Sequence, residues 1–445
     1  MRKRVVILAS KLGYQTRGFA EAAKRLGVDL VFGTDRCHQL ENPWGDDAMA
    51  LDFANPREAA QEIVRGLQSA GGDASGARVD AVMALGDRPT VTAAYASAAL
   101  GIRGNPPEAV RICRNKLRQR EALRAAGVRV PEFFSFGLHD EVARVLADDE
   151  VQTRLPAPLF PCVVKPLALA ASQGVIRAND AREFEAAVER IRGLMESPEI
   201  QVMREPGTER LLAERYVPGV EVAVEGVMTN GALRVLAIFD KPDPLEGPYF
   251  EETIYVTPSR LAPAMQRSIE ECAAATVRAL GLATGPVHAE FRVNEEGAWV
   301  LEAAPRPIGG LCSRALRFGE GAAQIALEEL LLRHALKMGG DETAREKAAS
   351  GVMMVPVPRG GIFEGVSGIV EAERVPGVEE IRITARLKDY VAAWPEGSSY
   401  LGFIFARGER AEDAERALRD AHAKLEFRFS PRLAVEHPVT GKVRA

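Results

Sequence analysis

The stretch from residue 285 to residue 310 reads GPVHAEFRVNEEGAWVLEAAPRPIGG, and the fold predicted for this chain depends on it. Residues 287–293 and 298–304 are two apolar-rich runs, with the turn-forming residues 294–297 between them. Two such runs separated by a short turn that contains glycine are typical of a β-hairpin. We therefore predict two antiparallel strands here.

The pairing of these strands brings two carboxylates together. If residues 295–297 form a three-residue loop with its glycine in the left-handed conformation, Asn294 pairs with Ala298. The same register places Glu290 directly opposite Glu302. Side chains alternate along a strand. One face of the hairpin should then carry His288, Glu290, Arg292, Glu302, Ala304 and, if the strand continues, Arg306.

This pair of carboxylates needs a partner, because like charges opposite each other destabilise a sheet. A raised pKa with a shared proton would relieve the repulsion, and so would a bound cation. Mg²⁺ takes carboxylate oxygens and is usually shared with substrate phosphates. An arginine beyond the second carboxylate, Arg306, suits a phosphate or an oxyanion. A surface hairpin with solvated glutamates is the alternative, but the metal–phosphate interpretation fits the spacing better.

Composition limits the class of protein. A chain of 445 residues is long enough for two to four domains. Its 27% charged and 47% hydrophobic residues are typical of a globular protein. The net charge of −5 argues against a nucleic-acid surface, so the expected partners are small molecules.

The cysteines and the apolar runs indicate the compartment. The five cysteines, an odd number without a CxxC pair, favour free thiols in a reducing compartment, and they are residues 37, 113, 162, 272 and 312. The apolar run near the start is too short for a signal peptide, and no run reaches membrane-spanning length. We expect a cytoplasmic protein without membrane contact.

The first hundred residues alternate between strand and helix patterns, which predicts a doubly wound parallel sheet. The predicted strands are 4–9, 29–32 and 81–85, and the predicted helices are 16–26 and 89–100. A nicotinamide-binding domain is the alternative. The first turn lacks the G-x-G-x-x-G pattern, so Asp35 alone is weak support for it.

Two lysines, Lys116 and Lys165, lie within or at the end of predicted secondary-structure elements and are candidate ligands of an anion. Lys116 lies in a predicted helix over 108–126, where a solvated lysine is the simpler interpretation. Lys165 ends the buried strand 160–166, and a charge there is costly unless it reaches water or an anion. The small-residue loop 167–174 follows, and its backbone N–H groups could fold over phosphates.

Together these motifs resemble the ATP-grasp carboxylate–amine ligases. The Glu290 strand and the string LEAAPRP at 301–307 resemble the magnesium-binding end of that family, which commonly reads Glu-x-Asn-x-Arg. The resemblance implies Mg²⁺ or Mn²⁺ on Glu290 and Glu302. Ala304 stands where the asparagine would be, so one metal ligand is missing or replaced.

The resemblance also assigns the nucleotide site. It implies that Lys116 and Lys165 reach the phosphates of ATP and that the 167–174 loop closes over them. The contacts would come from Ser172, Gln173 and Gly174. The string from Glu214 to Glu221 resembles the segment that crosses the adenosine site. Glu214 and the backbone near Val217 would then meet adenine, and Glu221 would meet the ribose.

The remaining assignments concern the reacting groups. The resemblance implies that Arg306 holds the transferring phosphate or an oxyanion. His288 would orient a carboxylate or accept a proton, although a packed, hydrogen-bonded histidine is as good an interpretation. The segment 240–252 resembles one found in bacterial L-amino-acid ligases. Arg314, at the start of a helix predicted after Gly310, would hold a substrate carboxylate.

The implied architecture is a multidomain α/β and α+β chain. A pre-ATP-grasp domain with a doubly wound parallel sheet occupies 1–107. An ATP-grasp fold with two α+β subdomains occupies 108–345, with its lid at about 135–217, and a small C-terminal α+β domain occupies 346–445.

The implied activity joins a carboxylate substrate to an amine, through an acyl phosphate, with release of ADP and phosphate. Another ATP-grasp reaction, biotin-carboxylase-like or nucleotide-precursor ligation, is an alternative. A nucleotide-binding regulator without catalysis is a second alternative, because of Ala304. The acid, the amine and the oligomeric state, including a homodimer, stay open.

Overall fold

The computed structural model of the chain describes residues 2–10, 14–35, 48–69, 78–149, 151, 159–431, 435–436 and 443–444. Cys37 and the first-turn residues 11–13, which entered the sequence analysis, lie outside them. Three sheets built from this part of the chain surround the site. They are a parallel sheet, a small antiparallel lid sheet and a long antiparallel central sheet.

The first sheet confirms the predicted doubly wound unit. Its elements are β1 (Arg4–Ala9), α1 (Tyr14–Leu26), β2 (Asp29–Asp35), β3 (Met49–Leu51), α2 (Pro56–Ser69), β4 (Ala81–Leu85) and α3 (Thr90–Ala99). The strands pair in parallel in the order β3-β2-β1-β4. Asp87 follows β4 at the carboxyl edge of this sheet, which is where open α/β sheets bind ligands.

The helix predicted over 108–126 is wrong in one respect, because the structure has two helices, α4 (Pro107–Cys113) and α5 (Lys116–Ala125). Asn115 between them is extended, and its side chain accepts a hydrogen bond from the Arg118 N–H as the N-cap of α5. The break turns the start of α5, with Lys116 as its first residue, toward the loop that begins at residue 167. There the Lys116 N–H donates to the Leu167 carbonyl at 3.0 Å.

The lid is a four-stranded antiparallel sheet covered by one amphipathic helix. Its elements are β5 (Phe133–Gly137), α6 (Val142–Ala147), β6 (Cys162–Pro166), β7 (Ile176–Ala178), α7 (Ala181–Met195), α8 (Pro198–Gln201) and β8 (Arg210–Arg215). The strand order is β5-β8-β6-β7. Phe184, Val188 and Ile191 of α7 are fully buried against this sheet, which fixes the direction in which β6 delivers Lys165.

The central sheet is antiparallel and has eight strands in the order β13-β12-β9-β10-β11-β16-β20-β18. The first half of the sheet consists of β9 (Val220–Thr229), β10 (Ala232–Lys241), β11 (Ile254–Thr257), β12 (Gly285–Asn294) and β13 (Gly297–Ala304), with helix α9 (Pro263–Ala279) between β11 and β12 in the chain. The pair β14 (Arg317–Phe318) and β15 (Ile325–Ala326) forms a separate two-stranded sheet, and α10 (Leu327–Ala335) follows it. The β12–β13 hairpin forms one edge of the sheet.

The chain beyond residue 346 completes this sheet. Its elements are β16 (Ala349–Val355), β17 (Gly361–Ser367), α11 (Ile369–Glu373), β18 (Val378–Ile383), β19 (Tyr390–Val391), β20 (Gly402–Gly408), α12 (Ala411–His422), β21 (Glu426–Ser430), β22 (Val435–Glu436) and β23 (Val443–Arg444). Strands β16, β20 and β18 extend the central sheet, while β19-β17-β21 form a small separate one. The predicted C-terminal α+β part is therefore joined to the central sheet by strand pairing.

The helix predicted to begin after Gly310 is wrong. The segment Cys312–Ala315 forms a single 3-10 turn, and the next α-helix, α10, begins only at Leu327. A 3-10 turn of four residues has no aligned stack of peptide dipoles, so it offers no helix N-terminus for an anion.

One apolar core connects the parallel sheet with the central sheet. It includes Phe19 of α1, Leu330 of α10, Phe239 of β10 and Phe403 of β20, all at most 3% exposed. This packing holds the carboxyl edge of the parallel sheet beside the β12–β13 hairpin. Among the described residues, no helix has both the length and the apolarity needed to cross a bilayer.

Candidate active site

The hairpin brings Glu290 and Glu302 opposite each other, as predicted, but by a different route. The loop has two residues rather than three, because Asn294 pairs with Gly297. The register then shifts by one residue between Glu290 and Phe291, which leaves Leu301 as an extra residue in β13. With a two-residue loop and no bulge, Glu290 would lie opposite Leu301. The extra residue of the β-bulge moves the pairing by one position. The bulge therefore restores the predicted pair of carboxylates.

The charged face of the hairpin continues across the neighbouring strand β9. His288 pairs with Glu225, and Arg292 pairs with Glu221, so each cation lies opposite a carboxylate. The Arg292 Nε donates to Glu221 at 3.0 Å, and Arg292 is 3% exposed. Opposite charges at directly paired positions stabilise a sheet. The polar face of β9 is therefore an internal ion-pair surface rather than a solvated one.

His288 is held by carboxylates on both ring nitrogens. Its Nδ1 forms a short hydrogen bond with Glu225, and its Nε2 lies 3.1 Å from Glu290 Oε1. Burial alone would lower the pKa of His288, but the carboxylates of Glu225 and Glu290 outweigh it and raise the pKa to about 9. A protonated histidine with both nitrogens engaged holds Glu290 in place and has no lone pair to accept a proton.

Lys241 is a site residue that the sequence analysis did not assign. Its ammonium group is paired with Glu221 at 2.7 Å, with Glu290 at 3.4 Å and, in a short contact, with Glu252. Burial alone would lower the pKa of Lys241, but the carboxylates of Glu221, Glu252 and Glu290 raise it. Among the described residues, Glu221, Glu252 and Glu290 form the one group of three or more His, Cys, Asp or Glu residues whose ligand atoms lie close enough together to hold a metal ion.

The negative charge of this group is only partly balanced. Burial and the neighbouring Glu290 raise the pKa of Glu252 to about 7, although Lys241 opposes the rise. The Tyr255 hydroxyl donates to Glu252 Oε2 at 2.8 Å. Burial alone would raise the pKa of Glu290, but Lys241 and His288 lower it well below its ordinary value. Glu290 is therefore ionised, whereas the pKa of Glu252 lies close to neutral pH.

The two predicted lysines converge on the same cleft. The Lys116 Nζ donates to the Leu169 carbonyl at 2.8 Å and lies 3.3 Å from Glu302 Oε2. The Lys165 Nζ lies 2.6 Å from Glu214. The structure thus pairs one lysine with a carboxylate of the hairpin and the other with a carboxylate of the lid sheet, and both lysines line the same cleft.

Glu214 orients Lys165 in this structure. Its carboxylate is 2% exposed and is also paired with Arg120 Nε at 2.7 Å. Burial alone would raise the pKa of Glu214, but the cations of Arg120 and Lys165 lower it. Burial lowers the pKa of Lys165 to about 8, against the opposing effect of Glu214. The pKa of Lys165 is therefore closer to neutral pH than that of an ordinary lysine.

Arg306 is positioned by the first sheet. Its Nη2 lies 2.9 Å from Asp87 Oδ2, the carboxylate at the end of β4. Burial alone would raise the pKa of Asp87, but Arg306 and Arg114 lower it to about 2. Among the described residues, the Arg306 Nε is buried without a hydrogen-bond partner. A buried N–H donor of a guanidinium normally has an acceptor, so this atom points to an anionic ligand.

These groups line a cleft of about 870 Å³. It brings together most of the predicted residues, namely Lys116, Lys165, Ser172, Glu214, Val217, Glu221, His288, Glu290, Glu302, Ala304 and Arg306. The far wall of the cleft, which was not predicted, comes from the chain beyond 346 and includes Thr384, Arg386, Asp389, Tyr390, Ser398 and Tyr400. No local pattern marked those residues, because they reach the cleft only through the strand pairing of β16, β18 and β20.

Four other omitted residues did leave a signal in the sequence. Asp87 follows the predicted strand 81–85, and the carboxyl end of a parallel strand is where ligand-binding groups collect. Lys241 and Glu252 lie in the segment 240–252, which is rich in charge and proline. The alternation of side chains along β9 places Glu225 on the same face as Glu221.

Three predicted residues do not face the cleft. Gln173 donates from Nε2 to the Glu396 carbonyl at 2.7 Å, and the Gly174 N–H donates to the Pro395 carbonyl. Arg314 is paired with Glu380 at 2.8 Å, and 41% of its side chain is exposed. The structure does not bring Arg314 to the cleft, because the segment that carries it is a 3-10 turn that ends against the C-terminal strands.

Comparison with known proteins decides the family. A profile of the ATP-grasp domain matches residues 159–315, which include Lys165, the 214–221 string and the whole hairpin. A profile of the ATP-grasp N-terminal domain matches residues 20–104, and one of the L-amino acid ligase C-terminal domain 2 matches residues 353–430. The chain belongs to the ATP-grasp family.

Relatives of this ATP-grasp chain include an uncharacterized protein and ligases whose reactions are named. An uncharacterized protein of Sinorhizobium fredii is 26% identical over 339 residues, which are 74% of this chain and 64% of that protein. An alanine–anticapsin ligase of Bacillus subtilis is 28% identical over 334 residues, which are 71% of this chain and 66% of that one. The chain spans about half to two thirds of the length of such curated relatives.

The likeness to a solved structure extends over the whole fold. The crystal structure of an L-amino acid ligase from Bacillus licheniformis is 26% identical, with a TM-score of 0.77. The match covers 96% of this chain and 99% of that one. The ATP-grasp fold predicted from the hairpin, with its parallel N-terminal sheet and antiparallel sheets, is therefore confirmed.

Proposed function

We propose that this ATP-grasp chain is an ATP-dependent ligase that joins the carboxylate of one amino acid to the amine of another. The observation that carries the proposal is the cleft in which Glu290 faces Glu302 between two lysines and Arg306. The match to the L-amino acid ligase C-terminal domain supports amino acids as substrates. The alanine–anticapsin ligases among the relatives support them as well.

The first step is the transfer of the γ-phosphoryl group of ATP to the substrate carboxylate, which gives an acyl phosphate and ADP. Two anions must approach each other for this reaction. Lys116 and Lys165 both line the cleft and would neutralise the phosphates. Charges that are positioned before the reaction cost little reorganisation when negative charge moves in the transition state.

Arg306 would bind the transferring phosphoryl group and the oxyanion of the second step. Asp87 fixes the Nη2 side of its guanidinium, so that the Nε without a protein partner has a defined direction. In the second step the amine attacks the acyl carbon, the C–O bond to phosphate breaks, and inorganic phosphate leaves with both electrons of that bond. The amine proton is lost to water or to a basic group of the cleft.

His288 and Lys241 position Glu290 in this proposal. Both ion pairs of Glu290 engage Oε1, which keeps the carboxylate in one orientation. His288 is bonded on both nitrogens, so we assign it to orientation rather than to proton transfer. Lys241 acts in the same way on Glu221 and Glu252.

The residues present fit a hard divalent cation. Glu290 and Glu302 are opposite in register, and their side chains are 21% and 29% exposed, so that they are open to the cleft. These two carboxylates would hold Mg²⁺ or Mn²⁺, with water in place of the amide oxygen that Ala304 does not supply. When bound, the ion would supply positive charge for the phosphate oxygens.

The test is phosphate release by the purified chain with ATP, Mg²⁺ and pairs of amino acids, combined with mass spectrometry of the products. We expect at least one pair to give phosphate and a product whose mass is the sum of both amino acids less one water. Glu302→Gln should abolish both signals. Glu415→Gln, which changes a carboxylate of helix α12 paired with Arg260, should retain them.

Other outcomes identify the alternatives. Phosphate release that requires bicarbonate, without an amino-acid product, would support a carboxylation reaction and contradict amino-acid ligation. Nucleotide binding without phosphate release under any condition would support the regulator.

A further inference from the structure

Two segments that are more than 200 residues apart in sequence are held together by three hydrogen bonds. One is the small-residue loop 167–174, and the other is the segment Trp394–Glu396, which we call the latch. The Trp394 Nε1 donates to the Ala171 carbonyl at 3.0 Å. The Gly174 N–H donates to the Pro395 carbonyl at 2.9 Å, and the Gln173 Nε2 donates to the Glu396 carbonyl at 2.7 Å.

The loop has a backbone conformation that needs such support. Ala171 and Ser172 have φ of 55° and 54°, in the left-handed region that residues with a β-carbon rarely occupy. Two consecutive residues of this kind persist only where neighbouring groups hold them. The latch binds the residue before Ser172 and the two residues after it. As a result, Ala171 and Ser172 line the cleft while the next two residues face the latch.

The latch is itself anchored on both sides of the cleft. Glu396 forms a bidentate ion pair with Arg190 of helix α7, with Nε–Oε1 at 2.5 Å and Nη2–Oε2 at 3.0 Å. Trp394 is 6% exposed, and its ring packs on Tyr400 with centroids 5.0 Å apart. Tyr400 lines the cleft. The latch therefore connects the lid helix, the 167–174 loop and the C-terminal wall.

We propose that Trp394 and Glu396 are positioning residues that hold the 167–174 loop closed over the phosphates while the acyl phosphate exists. The proposal rests on the proposed ligase function. The loop and its neighbours Lys116 and Lys165 lie where the phosphates of ATP would be, and the latch is the contact that keeps the loop there from the opposite wall.

Closure matters because water competes with the amine. If water attacks the acyl phosphate, the phosphate leaves, the original carboxylic acid is regenerated, and ATP has been consumed without a new amide bond. A loop that opens during the reaction would admit water to this step. Loss of the latch should therefore uncouple ATP consumption from ligation more than it slows ATP consumption.

The first test compares two substitutions of the same kind. Trp394→Phe keeps an aromatic ring against Tyr400 but removes the N–H that binds Ala171. Trp299→Phe is the matched control, since the Trp299 Nε1 donates to Asn294 at 3.3 Å near the hairpin turn, away from the loop. We expect Trp394→Phe to raise the phosphate released per amide formed several-fold. Trp299→Phe should keep the wild-type ratio.

The second test does not depend on ligation. We expect a fluorescent ADP analogue to dissociate several-fold faster from Trp394→Phe and from Glu396→Ala than from the wild type or from Trp299→Phe. Glu396 is 41% exposed in its side chain, so Glu396→Ala should fold even if Trp394→Phe does not, and melting curves establish which variants are folded.

The outcomes separate the two proposals. Folded latch variants that keep both the wild-type ratio and the wild-type dissociation rate would overturn the latch, as would equal changes in Trp299→Phe. If the wild type shows no amino-acid-dependent phosphate release, the ligase proposal fails. Faster nucleotide dissociation in the latch variants alone would then still support loop positioning, and an unchanged rate would refute it.

Discussion

At the scale of single residues, Lys165 is a buried cation that shares its one carboxylate partner with a second cation. Glu214 is its direct partner at 2.6 Å, and Arg120 shares that carboxylate. Because Arg120 already neutralises Glu214, the charge of Lys165 is available to an incoming anion. Replacing Lys165 with alanine should weaken ATP binding and lower kcat by about 10²–10³, the cost typical of one lost electrostatic donor. Calorimetric ATP affinity and steady-state rates measure both effects.

The lowered pKa of Lys165 predicts a pH dependence. Burial lowers this pKa to about 8, so the free protein loses the lysine proton as the pH rises through that value. Since kcat/KM reports the free enzyme, kcat/KM for ATP should fall above about pH 8. Lys165→Arg keeps its charge throughout and should move this alkaline limb to higher pH. Lys347→Arg, on an exposed lysine, is the control. An alkaline limb that is identical in Lys165→Arg would exclude Lys165 as its source.

Ala304 tests whether the metal site is complete. It lies opposite His288 and lines the cleft, next to the pair of glutamates. An asparagine oxygen here would complete the oxygen shell that water otherwise supplies. Ala304→Asn should therefore lower the free Mg²⁺ needed for half-maximal rate several-fold, with little change in melting temperature. A magnesium titration of both forms measures it.

Two results would contradict that expectation for Ala304. Equal magnesium requirements in both forms would show that this position does not contribute to the ion. Activity in Ala304→Asn alone would mean that the natural protein is a regulator.

At the scale of elements, the break between α4 and α5 places Lys116 at the cleft. The side chain of Asn115 caps α5, and the Lys116 N–H binds the Leu167 carbonyl. A continuous helix over residues 108–126 would allow neither of these two hydrogen bonds to form. The capping residue therefore contributes both to stability and to the position of the lysine.

Asn115→Ala should lower the free energy of unfolding by about 1 kcal/mol and also raise KM for ATP. Asp180→Ala is the matched control, because Asp180 caps α7 by accepting a hydrogen bond from the Glu183 N–H. It should cost about the same stability and leave KM unchanged. Urea denaturation and initial rates separate the two effects. A KM that changes equally in both variants would mean that lost stability, and not the position of Lys116, is responsible.

At the scale of the whole molecule, the C-terminal strands are part of the central sheet. Strand β16 lies between β11 and β20, and all seven of its residues are buried. A chain that ends after residue 345 would expose the edge of β11 and the apolar core beneath it. Exposed strand edges of this kind promote aggregation.

We therefore expect the fragment 1–345 to aggregate or to unfold without a cooperative transition. Co-expression with the fragment 346–445 should restore nucleotide binding. Sedimentation and thermal melting of the purified fragment measure the first effect. A monomeric 1–345 fragment with wild-type ATP affinity would show instead that the C-terminal part is an independent domain.

The sequence by itself determined the features that depend on local periodicity. The alternation of the two hairpin strands placed Glu290 and Glu302 on one face, although their direct pairing depends on a bulge that the predicted register lacked. Apolar strand patterns placed Lys165 at the end of β6. The order of strands and helices likewise predicted the first sheet. These features need only the period of a strand and the spacing of a turn, which neighbouring residues specify.

Only the tertiary structure decided the contacts between distant segments. The pairing of Arg306 with Asp87, the place of Lys241 among Glu221, Glu252 and Glu290, and the latch on the 167–174 loop all join residues from different elements. The loop length at the hairpin turn, the bulge at Leu301 and the exposed position of Arg314 are of the same kind. The physical reason is that these arrangements minimise the free energy of the packed molecule, in which sheet order and buried charge balance outweigh the local preferences of any one segment.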